Sequence, residues 1–216
     1  MIVDDSLLLR FRHDQKYCVI DTETEGLNLY NTKSWQVSFF LCQGNEIISK
    51  HNYFPFFKDL NIPRELRYKI HFDPNEYQQR AIPLKDFLDV LTPIIYDPEY
   101  VIIGHNILGF DIYCLNILRK ELGLKPDYSF VNRVIDTMCL AKAWKLKENC
   151  PNSVENVLSW QYKLLSVKQR LGVGLTKIAK DLGVEADETK AHDALYDIQM
   201  TWGVFQKLIH QMDVII

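Results

Sequence analysis

The chain has 216 residues, 47% hydrophobic and 25% charged, with a formal net charge of −3. That is the balance of a soluble globular protein, and the length suits one α/β domain or one domain with an insertion. No apolar run is long enough to cross a membrane, and the segment Met1–Lys16 lacks the basic head and apolar core of a signal peptide. The five cysteines, Cys18, Cys42, Cys114, Cys139 and Cys150, show no close pair and no metal-ligand spacing, so reduced thiols in the cytoplasm are expected. Charge is unevenly spread. Lys142 to Lys180 holds eight Lys/Arg against Glu148 and Glu155, a net of +6 that leaves −9 for the rest. Such a segment is either a solvated helical face or a nucleic-acid footprint.

In chain order, Lys16–Ile20 reads as a strand with Cys18, Val19 and Ile20 at its apolar heart. Trp35–Cys42 and Glu46–Phe54 read as a hairpin around Gln43-Gly44-Asn45, and the stretch 55–80 as irregular, broken by Pro55, Pro63 and Pro74. Pro83 opens a helix to about Tyr96. Val101–Gly104 is a short buried strand, and Asp111–Gly123 a helix with Leu115, Leu118 and Leu122 on one stripe. Arg133–Asp136 is a strand and Thr137–Leu146 a helix. Ser153 is expected to cap a long helix to Leu171. One face of it would hold Val154, Val157, Leu158, Leu164, Leu165 and Leu171, and the other Trp160, Lys163, Val167 and Arg170. Leu175–Leu182 is a short helix, and the last helix runs from about Ala191 to Met212. Three meandering strands followed by alternating helices and strands predict an α/β fold, a mixed sheet flanked by helices.

Asp21 and Glu23 follow the apolar part of the first strand and, two apart, point to one face. Two carboxylates on one face repel unless a cation neutralises them, and hard divalent cations take oxygen ligands of this kind. An Asp-x-Glu in a polar turn is the ordinary alternative. Asp111 begins a helix after Gly104-His105-Asn106-Ile107-Leu108-Gly109-Phe110, where it is either a cap or an inward-facing acid. His192 opens the last helix, and Asp197 borders its buried face of Ala194, Ile198, Phe205, Leu208 and Met212.

In order and context these residues resemble the DnaQ-like proofreading exonucleases, the DEDD family. Ile20-Asp21-Thr22-Glu23-Thr24-Glu25-Gly26-Leu27 is similar to that family's first motif, Gly104-His105-Asn106 through Phe110-Asp111 to its second, and His192 with Asp197 to the histidine form of its last. Asp136-Thr137 and the stretch Ile70-His71-Phe72-Asp73 resemble two supporting patches. Bacteriophage polymerases carry similar second motifs. Three residues separate Asn106 from Phe110 where two are commoner, and Phe72 stands where the family usually has glycine.

The resemblance implies a ribonuclease H-like fold with a five-stranded mixed sheet, in one exonuclease domain spanning 1–216 with a helical insertion at about 145–173. It also implies two divalent cations, Mg²⁺ or Mn²⁺, held by Asp21, Glu23, Asp111 and Asp197, with His192 as general base. Thr24, Leu27, Asn106 and His71 would line the pocket for the terminal nucleotide, and Lys163 and Arg170 are expected to guide the strand. The expected substrate is the 3′ end of DNA, single-stranded or frayed, in proofreading or processing, with RNA ends as the alternative and a catalytically idle docking module as a third reading. A polymerase or other replication protein is the expected partner, no membrane is involved, and the site of action is the cytoplasm, a host's if the gene is a phage's.

Overall fold

Alternation along the first strand organises the sheet. In the computed structural model, which describes residues 14–151, 153–187, 189 and 193–212, β1 spans Lys16–Thr24 and lies at the centre of five strands. It pairs antiparallel with β2 (Ser34–Gln43), which turns at Gly44 (φ 53°) into the antiparallel edge strand β3 (Glu46–Tyr53). On its other side it pairs parallel with β4 (Tyr100–Gly104), and β4 in turn with β5 (Val134–Asp136). The order β3-β2-β1-β4-β5 is the mixed, ribonuclease H-like sheet that the motifs imply. β1 continues four residues past Ile20, so Asp21 and Glu23 sit within a paired strand rather than beyond its end.

Each face of β1 feeds its own core. Tyr17 and Val19 join Phe40, Val101, Ile103 and Ile135. This face is covered by α5 (Thr137–Leu146), α6 (Val154–Leu165), α7 (Leu175–Asp181) and α8 (Ala194–Gln211). Cys18 and Ile20 join Val37, Phe39 and Ile102 on the opposite face, under α3 (Leu84–Ile95) and α4 (Asp111–Glu121). A smaller core of Trp35, Phe54, Ile62 and Tyr77 lies beneath the stretch 55–80. That stretch is less irregular than its prolines suggest, since it forms α1 (Arg64–Arg67) and α2 (Pro74–Arg80). Asp73 caps α2 by accepting from Asn75 N and Glu76 N, with Pro74 at the first turn, where its missing N–H costs nothing. All five cysteines are free thiols, and among the described residues no helix is long and apolar enough to cross a membrane.

Three expectations are corrected. Leu122 ends the stripe on α4 only in sequence; it is 38% exposed, because the helix stops at Glu121 and the chain turns through Gly123 (φ 71°). Ser153 precedes α6, as expected, but its side chain makes no capping bond, and the helix ends at Leu165 rather than Leu171. The reason is Lys142 on α5. Its buried ammonium donates to the carbonyls of Leu164 (3.0 Å) and Leu165 (3.1 Å), capping the helix from the side. Trp160 is not on an outward face with Lys163 either. It is 8% exposed and packs in the main core, while Lys163 is in solvent, paired with Glu148 at 3.0 Å.

The remaining work of α6 falls to Gln161, fully buried beside β5. Its Oε1 accepts from Asp136 N (2.7 Å) and its Nε2 donates to Val134 O (3.0 Å), so one amide supplies the bonds that a further strand would make. Gln161→Leu would strand two buried backbone groups at roughly 1–3 kcal/mol each. The expected loss of stability is therefore about 2–4 kcal/mol. Urea unfolding measures it, and a variant within 0.5 kcal/mol (roughly, the spread for surface changes) would show that the amide contributes nothing.

Candidate active site

β1 carries its apolar alternation into acids. Asp21 and Glu23 continue the face of Tyr17 and Val19, where α8 packs, and Thr22 turns to the other face. On α8, Asp193 caps the first turn by accepting from Leu195 N (2.9 Å) and Tyr196 N (3.4 Å). Asp197 follows one turn later. The apolar face of α8 is pinned by Ala194, Ile198, Phe205, Leu208 and Met212, all buried as the sequence predicts. Strand and helix thereby bring one oxygen each of Asp21, Glu23 and Asp197 within 4.8 Å of one another. Among the described residues no lysine or arginine pairs with Asp21 or Glu23.

Asp111 approaches from behind. It is buried at the first turn of α4, and its Oδ1 accepts from Thr22 N (3.1 Å) and Thr22 Oγ1 (2.7 Å). It is not the cap of its helix, whose N-cap is Phe110, and it stands outside the three-oxygen cluster.

Proton affinities follow from this crowding. Burial first, and then Asp111, Asp197 and Asp193, hold the Asp21 carboxyl well above the usual carboxylate range. Burial and then Asp21 do the same to Glu23. Burial lifts Asp111 to about 7 against the opposing bonds from Thr22. A set of buried acids that resists ionising is the donor chemistry a hard divalent cation satisfies.

The loop between β4 and α4 is shaped by a residue whose role the sequence did not reveal. Asp136, fully buried, accepts from Asn106 N (2.9 Å), Leu108 N (3.1 Å) and Met138 N (2.9 Å), tying the loop to the cap of α5. Burial outweighs these bonds and lifts its carboxyl to about 6. Asn106 adopts φ 63°, and its side chain lies so close to Gly109 that a Cβ there would stand 2.5 Å from Asn106 Oδ1. His105 shares a hydrogen bond with Thr137 Oγ1 (2.9 Å), and burial lowers its imidazole to about 4, so it is neutral at physiological pH.

A cavity of about 460 Å³ opens beside the acids on the β4 side. Asp21, Glu23, Thr24, Leu27 and Asn106 line it, and Leu27 stands 85% exposed at its rim. The opposite wall is Leu66, Lys69 and Ile70, of which no sequence signal marked the first two within the proline-broken stretch. His71, expected in this pocket, is instead in a second cavity of about 410 Å³ on the β2–β3 side. At His71 the backbone passes through φ 52°, between Ile70 in the first cavity and Asp73 in the second. Lys163 and Arg170 line neither cavity, and the early end of α6 leaves Arg170 off the helix, so the continuous cationic face is absent. His192 lies outside the described residues, as does Ala191.

No protein-family profile matches the chain. It is 25% identical to Ribonuclease T of Buchnera aphidicola over 97% of its own length and 90% of that protein's. It is also 25% identical to the PolC-type DNA polymerase III of Staphylococcus aureus, over 98% of its own length but only 13% of the polymerase. Among solved structures, the zinc-bound E. coli exonuclease I–ssDNA complex superposes with a TM-score of 0.71 at 17% identity, covering 93% of this chain and 41% of that one. The exonuclease I complex with a dT13 oligonucleotide gives a TM-score of 0.70 over 92% and 42%. The chain thus spans less than half of exonuclease I and a small part of the polymerase. With the Asp21/Glu23, Asp111 and Asp197 motifs on that sheet, the chain has the fold of exonuclease I and resembles the DnaQ-like, DEDD exonucleases.

Proposed function

We propose that the chain is a metal-dependent 3′–5′ exonuclease that hydrolyses the last phosphodiester bond of a single-stranded or frayed DNA end. The observation that carries this reading is the convergence of Asp21, Glu23 and Asp197, with Asp21 and Glu23 opening onto a cavity rimmed by exposed Leu27. Asp21, Glu23 and Asp197 would hold one Mg²⁺ or Mn²⁺, and Asp21 with Asp111 a second. Bound there, the cations polarise the phosphoryl group and stabilise the charge on the attacking and leaving oxygens.

The chain's own groups position the rest. Leu27 packs against the terminal base, Thr24 and Asn106 face its sugar, and His192 accepts the proton of the attacking water. Water adds to phosphorus, the 3′ oxygen of the preceding nucleotide leaves, and a nucleoside 5′-monophosphate is released. The match to a protein named Ribonuclease T favours a second reading, trimming of RNA ends, in which the same cavity must also accept a 2′-hydroxyl. The likeness to part of a protein named DNA polymerase III PolC-type supports a polymerase or other replication protein as partner.

In chelator, stability should fall as pH rises. The folded chain keeps protons on Asp111 to about 7 and on Asp136 to about 6, whereas aspartate in the unfolded chain ionises near pH 3.9, as a rough reference. From about pH 4 to 7 the folded state therefore binds more protons, so the melting temperature should be higher at pH 5.5 than at pH 8. Mn²⁺ should raise the value at pH 8 and flatten the slope. A chelated protein that melts highest at pH 8 would count against uncompensated acids.

End-labelled oligonucleotides test the chemistry. Asp21→Asn should abolish cleavage without unfolding the protein, as should EDTA. His192→Ala should lower turnover at least about a hundredfold while sparing binding, and remove the rise of rate with pH through roughly 6.5. Cleavage of circular single strands at the rate of linear ones would sink the exonuclease reading.

A further inference from the structure

The face of the sheet that carries the acids stays polar beyond β1. Glu23 lies directly opposite Gln36 on β2, and Asp21 opposite Ser38, which is itself opposite Asn52 on β3. Directly opposed residues of an antiparallel pair share a face, with Cα atoms about 4.5–5.5 Å apart. The second cavity begins at Gln36 and Asn52, one strand away from the catalytic acids and on the side opposite Leu27 and Asn106. The two cavities therefore flank the acid-bearing end of β1, joined by the opposed pair Glu23 and Gln36.

The contents of this cavity suit a flat neutral heterocycle. Arg80 lies over Phe54, its guanidinium carbon 4.3 Å from the ring centroid, and its side chain is still 45% exposed. The inner face of the guanidinium is thus taken by the ring and the outer face left for a second planar group, an arrangement that stacks bases. Asn52 Oδ1 accepts from Gln36 Nε2 (3.0 Å) and Ser38 Oγ (3.0 Å). That leaves the Asn52 amino group and the Gln36 carbonyl oxygen as an adjacent donor and acceptor, on a Gln36 that is only 6% exposed. Phosphate is disfavoured, because the one arginine is already paired with Glu76 at 2.5 Å and Asp73 and Asp193 also line the walls.

We infer that this cavity receives the base of the penultimate nucleotide, on the 5′ side of the scissile phosphate, stacked on Arg80 and held at its edge by Asn52 and Gln36. This rests on the exonuclease reading for its place in the strand, though the cavity's affinity for a base does not. A base held there fixes the leaving 3′ oxygen relative to the acids, so the enzyme would sense whether the second nucleotide from the end is intact.

The test uses thymidine oligonucleotides carrying one abasic residue, at the second or at the fourth position from the 3′ end. For the whole protein, kcat/KM for the first cleavage should fall roughly tenfold with the penultimate lesion, the scale of one stacked base, and little with the other. Asn52→Leu and Arg80→Leu, both at the cavity surface, should cleave intact oligonucleotides more slowly and lose the difference between the two lesions. Equal effects of both lesions on the wild type would overturn the inference. A second readout needs no cleavage: in chelator, a thymidine dinucleotide should quench tryptophan fluorescence more than one with an abasic 5′ residue, and Trp35→Phe should remove the difference. Identical quenching by the two dinucleotides also overturns the pocket. Base-dependent quenching in a protein that cleaves no oligonucleotide would instead uphold the pocket and sink the exonuclease reading.

Discussion

Like charges forced together at the end of a buried strand govern this molecule. Asp21 and Glu23 cannot separate, because strand alternation sets them on one face, and they cannot swing outward, because Tyr17 and Val19 on that face are fully buried. Asp197 is held as firmly by the core residues of α8. The same packing that stabilises the fold therefore maintains the repulsion, and relief comes only from outside, as protons or as a cation. Asp111 shows the contrast. Two donors from Thr22 satisfy one of its oxygens, so it remains close to the acids without joining their cluster.

Support for the site runs through elements that never touch it. Gln161 on α6 completes β5, β5 ends in Asp136, and Asp136 holds Asn106 at the cavity wall and Leu108 in the core behind it. The long segment 145–173, which composition suggested as an approach surface for phosphates, contributes Trp160 and Gln161 to the interior instead. Two of its basic residues are spent locally: Lys163 faces Glu148, and Lys145 reaches Asp181 at 2.8 Å.

Much of this was legible in the chain. The order of strands, the helix Thr137–Leu146, and the buried face of the last helix follow from periods of two and three to four residues, with glycines at turns. Apolar patterns placed the three acids of the cluster at a strand end and a helix face, and the resemblance of their motifs to the DnaQ-like exonucleases singled them out. What escaped depends on contacts remote in sequence. Helical periodicity gives two faces for α6 but not which of them meets a neighbour, so Trp160 was misplaced. No local signal marks the capping of α6 by Lys142, 22 residues before Leu164. His71 was assigned to the pocket of Asn106 through the resemblance of Ile70-His71-Phe72-Asp73 to a family patch, whereas the chain, passing through φ 52° at His71, places it in the second cavity.

Gln161 has a consequence beyond its two bonds. A sheet with a bare rim is a template on which another chain can add a strand, the route to uncontrolled association. At β5 that rim is already taken by a side chain that mimics a strand and cannot be displaced without opening the core around Trp160 and Leu164. Growth is left to the β3 rim, where the charges of Glu46 and Lys50 flank an exposed Ile48.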